Sequence, residues 1–273
     1  MKEVFLPMEV GDGRLDGILE LFHLVRGDPA STSDLCLNWS RVEQITPAGF
    51  AIMACFFDSV LEQKCKLKNV FVKKKFKSIP VVRNLLNCGK YKSLPKPEIH
   101  DVSSHDHMLC GREFSVDPYF MDRVEAGCGK VLSSKLSFSC RLIVNELMQN
   151  SVDHSGAERY YLYAGQWNQE FHVGVLDMGI TIPARLEQKY TLENDVKYLE
   201  LALKEGSSTR RGRTGGLGLH HTFETLKTSN GRLTIVSRNA QIRRYFKRRK
   251  VAKGKLKYAL RGTWCFTRFP MRE

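Results

Sequence analysis

Apolar residues along the chain recur at spacings that predict helices and strands. One stripe recurs at steps of four, three and four, at Leu136, Cys140, Ile143 and Leu147. This spacing predicts a helix with one core-facing side. Residues 171–176 alternate and predict a strand that ends at Asp177. A glycine-rich stretch over residues 212–218 leads into another helical pattern, and residues 262–270 predict a closing strand.

The N-terminal part shows a different order of patterns. Its predicted elements are a strand over 34–39, a turn over 45–49, a helix over 50–61, a lysine-rich strand over 68–72 and a helix over 79–86. Strand, turn, helix, strand and helix in this order indicate a compact α/β unit.

The first candidate site lies on the predicted helix, where Glu146 and Asn150 are four residues apart. That spacing places them on neighbouring turns of one face. Mg²⁺ needs only one or two protein oxygens when phosphates supply the rest, so the Asn150 oxygen suffices as a ligand. Glu146 would orient or deprotonate an attacking water or hydroxyl. The alternative is that both are ordinary solvated helix positions.

The second candidate is the turn after the predicted strand, with Asp177, Gly179 and Pro183. A buried carboxylate at a strand end accepts a hydrogen bond from an exocyclic amine, and a neighbouring glycine lets a flat ring approach the backbone. This pattern suits a site that recognises adenine. A plain Asp-x-Gly turn is the alternative.

The third candidate is the glycine cluster Gly215, Gly216 and Gly218, which precedes a predicted helix. Free backbone N–H groups at a helix N-terminus hold phosphate oxygens. The spacing matches neither a P-loop nor a dinucleotide-binding fingerprint.

The order and spacing of the three segments, followed by the closing strand, resemble the GHKL ATPase family. This family includes gyrases, Hsp90-type chaperones, histidine kinases and anti-sigma kinases. The resemblance covers residues 116–273 and implies a Bergerat-type α/β sandwich, with helices on a mixed, mainly antiparallel sheet. It also implies that ATP and Mg²⁺ are bound beneath a lid at about residues 184–214.

The resemblance assigns a role to each matching residue. Glu146 corresponds to the catalytic glutamate, Asn150 to the magnesium ligand, and Asp177 with Gly179 to the adenine-recognising pair. The phosphate-binding end of the lid corresponds to Arg213, Gly215, Gly216, Gly218 and Leu219, and Thr263 to a threonine that holds adenine through water. The sequence departs from the family at Thr181, which stands in place of a second glycine, so the detailed shape of the adenine pocket differs.

Between Pro183 and Thr214 the chain predicts a helix over 195–204 and then a basic loop with Arg210, Arg211 and Arg213. Guanidinium groups suit phosphates, and lids often close over such sites. The alternative is a surface loop made basic for solubility.

Residues 30–92 resemble a STAS domain, the fold of anti-anti-sigma factors. The predicted organisation is therefore a STAS-like domain over 1–95, a linker over 96–115 and the ATP-binding domain over 116–273. The turn carries Pro47, Ala48 and Gly49 where the family has a phosphoacceptor serine before the glycine, so no phospho-switch is expected there.

The chain has a formal net charge of +14, unevenly placed. Residues 238–262 hold eleven Lys or Arg and no acid, and residues 64–77 add seven lysines. Such basic clusters would bind nucleic-acid phosphates. In the hairpin predicted over residues 238–262, the residues expected to do so are Arg243, Arg244, Arg248 and Arg249. A solvated hairpin tip or contact with an acidic protein is equally consistent.

Two functions follow. The first is a bacterial ATP-dependent signalling switch that transfers a phosphoryl group to a protein or hydrolyses ATP slowly. The second is a GHKL ATPase whose closure acts on nucleic acid in DNA handling or phage defence. The pattern shows no membrane span or signal peptide, so a cytoplasmic protein is expected. The eight cysteines lack Cys-x-x-Cys spacing, so the sequence predicts neither a zinc site nor a disulfide framework.

The family resemblance also implies a regulatory protein partner and is compatible with a homodimer.

Overall fold

The computed structural model describes residues 1–26, 34–91, 98–101, 108–113, 117–128, 133–204 and 218–271. Within these ranges the chain is a mixed α/β protein with both parallel and antiparallel sheets, which confirms the predicted α/β class. No described helix is both long enough and apolar enough to cross a bilayer.

The N-terminal part combines short parallel strands with two long helices. Its elements are β1 (Lys2–Phe5), β2 (Glu9–Val10), α1 (Leu15–Arg26), β3 (Leu35–Asn38), β4 (Gln44–Ile45), α2 (Pro47–Glu62), β5 (Leu67–Val70), α3 (Lys74–Lys77) and α4 (Pro80–Leu86). Strands β1, β3 and β5 form one parallel sheet, and β2 pairs with β4 in parallel. Residues 47–60 of α2 are all buried, as expected for a helix that is apolar on every side.

Thr46 begins helix α2 by a local hydrogen bond. Its side chain accepts from the backbone N–H of Gly49 at 3.2 Å, and the residue is 1% exposed. The Thr46 hydroxyl is therefore buried and caps the helix.

The C-terminal part is built on one large sheet with helices against it. Its elements are β6 (Glu98–Asp101), β7 (Met108–Glu113), α5 (Phe120–Cys128), α6 (Ser134–His154), β8 (Tyr160–Trp167), β9 (Glu170–Asp177), α7 (Ile182–Leu186), α8 (Asp195–Ala202), α9 (Gly218–Thr228), β10 (Arg232–Tyr245) and β11 (Lys250–Pro270). The strand order is β10-β11-β9-β8-β7-β6.

The pairing in this sheet is more uniform than the mixed, mainly antiparallel arrangement that the family resemblance implied. Every pairing among its described strands is antiparallel. Parallel pairing occurs in the small sheets of the N-terminal part.

Residues 96–115 contain two strands where the sequence predicted a linker. Strand β7 pairs with β8, and β6 pairs with β7, so both extend the large sheet. Both are short, and they follow Pro95 and Pro97. Strand β7 forms by pairing with β8, and β6 forms by pairing with β7. These partners lie outside the local sequence pattern.

The central strands β8 and β9, with the part of β11 that pairs with β9, are buried on both faces because their side chains alternate between two cores. One face carries Leu162 and Val175, which pack with α5, α6, α8 and α9. The other face carries Tyr161, Trp264 and Phe266, which pack with α1 and α2 of the N-terminal part. The Phe22 ring of α1 meets the Trp264 ring edge-on at 5.3 Å. The N-terminal part therefore shares its core with the large sheet.

A buried polar group also joins α2 to the large sheet. The Oδ2 atom of Asp58 accepts from the Tyr161 hydroxyl at 2.8 Å and from the Arg159 guanidinium at 3.2 Å. Asp58 is 1% exposed and Arg159 is 8% exposed. Removing one member of such a buried ion pair typically costs about 3–5 kcal/mol, because the other charge stays buried.

Candidate functional site

A pocket lies between helix α6, the edge of the sheet formed by β9 and β11, and helices α7 and α9. It contains about 860 Å³ of empty space, its open mouth included. The described lining is mostly apolar, and its polar members are Asn150, Ser151, His154, Ser155, Asp177, Thr181, Arg185 and Thr263.

Asp177 lies at the base of this pocket because of the alternation in β9. Val173, Val175 and Asp177 occupy one face of the strand, so the carboxylate continues an apolar row. Asp177 is 5% exposed. Its Oδ1 atom accepts from the backbone N–H groups of Gly179 at 3.0 Å and Thr263 at 3.2 Å. Its Oδ2 atom accepts no hydrogen bond from the described residues and is available to a ligand.

Burial raises the pKa of Asp177 to about 7, and the two backbone N–H donors oppose the rise only in part. Desolvation disfavours the charged form, whereas donors stabilise it. At neutral pH the carboxyl group is therefore present in both its protonated and its ionised form. A ligand that donates a hydrogen bond to Oδ2 favours the ionised state.

Gly262 allows β11 to pass directly behind Asp177. Its φ is +90°, and a Cβ atom at this position would lie 2.2 Å from the Asp177 carbonyl oxygen. Only glycine fits this close approach without displacing the backbone. The sequence showed Gly262 as the start of a strand, but its contact with Asp177 depends on the pairing of β11 with β9.

Ser237 is a site-supporting residue that the sequence analysis missed. It is fully buried, and its hydroxyl meets the Thr263 hydroxyl at 2.9 Å and donates to the Gly262 carbonyl at 3.0 Å. It also accepts from the Ile182 backbone N–H at 2.9 Å. Ser237 thus ties the start of α7 to the strand that carries Thr263. Its signal in the sequence is one hydroxyl at the end of the apolar run in β10.

Thr181 departs from the family pattern without distorting the turn. Its φ of −73° and ψ of 153° are ordinary for a non-glycine residue. Its side chain accepts from the Ala184 backbone N–H at 3.2 Å and so caps helix α7. The threonine therefore fixes where α7 begins.

Glu146, Asn150 and Gly218 come together at the other end of the pocket. A Cβ atom on Gly218 would lie 2.7 Å from Oε2 of Glu146 and 2.8 Å from Nδ2 of Asn150. Gly218 is the first residue of α9, so the N-terminus of an eleven-residue helix meets both side chains. The buried Nδ2 atom of Asn150 has no hydrogen-bond partner in the described part of the chain.

His221, one turn into α9, also faces Glu146. Its Nδ1 atom lies 3.6 Å from Oε1 of Glu146, and the pair carries opposite charges only when the imidazole is protonated. The sequence analysis did not single out His221. The contact follows from the packing of α9 on α6.

The remaining predicted site residues divide into two groups. Leu219 lines the pocket. Arg213, Gly215 and Gly216 lie outside the described residues, as do Arg210 and Arg211.

The described part of the predicted lid is fastened to the sheet by Arg238. Its guanidinium binds Glu187 at 2.6 and 2.7 Å and Asp195 at 2.9 Å. Glu187 follows α7 and Asp195 begins α8. One arginine on β10 therefore holds both short helices beside the pocket.

The four arginines predicted to contact nucleic acid lie in different environments. Arg243 donates to the carbonyls of Asp12 at 2.9 Å and Gly13 at 3.1 Å, which joins the hairpin to the N-terminal part. Arg244 is half-buried over the Phe223 ring, 5.5 Å from its centroid. Arg248 and Arg249 are exposed at the turn between β10 and β11. The hairpin is thus basic as predicted, but two of its arginines serve the fold.

Comparison of the chain with protein-family models and with curated proteins gives no match.

Proposed function

We propose that this protein binds Mg-ATP in the pocket and uses it as a regulatory switch, through phosphoryl transfer to a protein or slow hydrolysis. The observation that carries the proposal is the pairing of two polar ends in one apolar pocket. One end holds a buried carboxylate with an available oxygen, Asp177. The other holds Glu146 and Asn150 against the N-terminus of α9.

The Asp177 end suits adenine. Its Oδ2 atom accepts a hydrogen bond from the exocyclic amine, while Oδ1 is held by two backbone donors. Guanine presents a carbonyl oxygen at the corresponding position, which would face the carboxylate oxygen without a proton between them. Selectivity for ATP over GTP is therefore expected.

The Asn150 end suits phosphates and magnesium. Free N–H groups at the N-terminus of α9 favour negative charge, and the unpartnered Nδ2 atom of Asn150 lacks an acceptor that a phosphate oxygen would supply. The Asn150 oxygen would hold the metal, which needs few protein ligands when phosphates complete its shell. Bound there, Mg²⁺ would neutralise phosphate charge.

Glu146 would act as the general base. Its side chain is 37% exposed, so a water or a substrate hydroxyl reaches it. Its placement beside Asn150 and Gly218 puts it next to the proposed phosphate position. A base at hydrogen-bonding distance suits both hydrolysis and transfer to a protein hydroxyl.

Calorimetric titration with Mg-ATP and Mg-GTP tests the proposal. The wild type is expected to bind ATP in preference to GTP, and Asp177→Ala is expected to lose ATP binding. Asp34→Ala, in an acidic residue before β3 and away from the pocket lining, is the matched control. Wild-type protein that binds neither nucleotide would refute the proposal.

The chemical step has a separate test. Glu146→Gln is expected to retain ATP binding and to lose hydrolysis or transfer of radiolabelled phosphate to a partner protein, because the amide is not a base. Activity equal to wild type would exclude Glu146 as the base while leaving the binding site intact.

A second candidate function, action on nucleic acid, is favoured by the exposed tip of the hairpin. Lys247, Arg248, Arg249 and Lys250 are all exposed in sequence around the turn. A two-stranded ribbon with such a tip fits a nucleic-acid groove and releases counterions on binding.

Neutralising the tip tests this second function. Replacing Lys247, Arg248, Arg249 and Lys250 by glutamine is expected to abolish a salt-sensitive mobility shift with DNA or RNA. The control replaces Lys64, Lys66, Lys68 and Lys73, which are also exposed, for the same change in charge. Equal loss in both variants would show a general charge effect, and wild type without a shift at low salt would exclude the function.

A further inference from the structure

Arg185 is a cation of the pocket to which the adenine and magnesium contacts assign no role. It lies on α7 and contributes to the pocket wall. Among the residues that line the described pocket, Asp177 is the one carboxylate and Arg185 the one lysine or arginine. Glu146 lies beside the lining residue Gly218 but is not itself part of the lining.

Arg185 has no carboxylate partner among the described residues. Its Nε atom is buried and makes no hydrogen bond in this part of the chain. Three acids follow it nearby in the sequence. Arg238 binds two of them, Glu187 and Asp195, and the third, Glu193, is exposed. A guanidinium has five N–H donors and no acceptor, so a buried N–H without a partner is costly.

Arg185 and Asp177 are not bound to each other. The Asp177 carboxylate is held by the backbone N–H groups of Gly179 and Thr263, and no hydrogen bond or ion pair joins it to Arg185 among the described residues. A ligand that binds Arg185 therefore need not displace a contact of Asp177.

We infer that Arg185 binds the phosphate groups of the ligand, so that the pocket selects nucleotides over the nucleoside. The inference rests on the proposed nucleotide function and adds a specificity-determining residue to it. Phosphate oxygens match the planar fork of a guanidinium, and the apolar lining strengthens the attraction. Phosphate binding would also supply the acceptor that Arg185 lacks.

The test compares adenosine with Mg-ATP in calorimetric titrations of the full chain. Arg185→Gln removes the charge and keeps a polar side chain, although a shorter one. Arg83→Gln is the matched control, because Arg83 is exposed on α4 and the change in net charge is identical. Circular dichroism and thermal melting check that each variant is folded.

Arg185→Gln is expected to weaken Mg-ATP binding by about tenfold or more, the usual range for a hydrogen bond to a charged group. Adenosine binding is expected to change by less than about twofold, since a nucleoside has no phosphate for Arg185 to bind. Arg83→Gln is expected to match wild type with both ligands.

Two results would overturn the inference while the proposed function stands. One is wild-type affinity of Arg185→Gln for Mg-ATP, and the other is equal weakening of ATP and adenosine, which would place Arg185 at the base or in the fold. Wild type that binds neither ligand would refute the proposed function, and the inference with it.

Discussion

Binding of the adenine base should depend on pH through Asp177, and the structure sets both the sign and the range. Burial raises the pKa of this carboxyl to about 7. A ligand amine binds the ionised form, so a proton must leave before or during binding below pH 7. Affinity is therefore expected to rise from pH 6 to pH 8 and then to level off.

The size of the effect follows from the ionised fraction. With a pKa of about 7, that fraction rises from roughly one tenth at pH 6 to roughly nine tenths at pH 8. Affinity for the base should therefore increase about tenfold, equivalent to about 1.4 kcal/mol. Adenosine is the suitable ligand because, unlike ATP, it has no phosphate that titrates in this range.

Calorimetry at pH 6, 7 and 8, in two buffers of different ionisation enthalpy, measures the affinity and the number of protons released. Proton release should approach one at pH 6 and fall towards zero at pH 8. His154 also lines the pocket, so Asp177→Asn is the control that removes one carboxyl and leaves the histidine. Wild-type affinity that does not change between pH 6 and 8, or an equal pH dependence in Asp177→Asn, would show that ionisation of Asp177 does not control binding of the base.

Three further predictions concern stability. Since the folded-state pKa of Asp177 is raised to about 7, its contribution is fully present below the unfolded-state pKa and lost as pH rises through 7. The free energy of unfolding of wild type should fall by roughly 2–3 kcal/mol relative to Asp177→Asn between pH 5 and 8 in urea titrations, and parallel curves would contradict this. Gly262→Ala should lower the free energy of unfolding by about 1–3 kcal/mol, because φ is +90° and the new Cβ would meet the Asp177 carbonyl. Gly254→Ala, where a Cβ has open space, is the control in thermal melting. Equal melting temperatures of the two variants would disprove the constraint at Gly262. Asp58→Ala should cost about 3–5 kcal/mol because it removes the buried carboxylate that Arg159 and Tyr161 bind, and Tyr161→Phe about 1 kcal/mol. Equal losses in urea titrations would argue against a buried ion pair.

The helix and strand that carry the polar residues of the pocket could be predicted from local pattern. A stripe at helical spacing placed Glu146 and Asn150 on α6, and alternation placed Asp177 at the end of β9. These predictions succeeded because each depends on residues close in sequence. The predicted roles of these residues in ATP binding stay predictions.

Contacts that depend on pairing distant segments could not be predicted in this way. The positions of Ser237 and Gly262 behind the pocket require β10 and β11 to meet each other and Asp177. The contact between His221 and Glu146 requires α9 to pack on α6. No local pattern in the sequence specifies such partners.

One strand of the sheet carries a sequence pattern that indicates burial on both faces. Residues 160–164 of β8 are apolar or aromatic at every position, which is typical of a strand buried on both faces. Tyr161 and Trp264 accordingly pack against α1 and α2. The pattern predicts that a second layer exists, but the identity of that layer follows only from the tertiary structure.

Nucleotide binding in this pocket is best tested by a crystal structure with magnesium and a non-hydrolysable ATP analogue. We expect the exocyclic amine of adenine to donate to Oδ2 of Asp177, and the metal to lie on the Asn150 oxygen. The phosphates should lie between the N-terminus of α9 and Arg185. An empty pocket in a crystal soaked at a saturating concentration of the analogue, or a base bound away from Asp177, would contradict the proposed binding site.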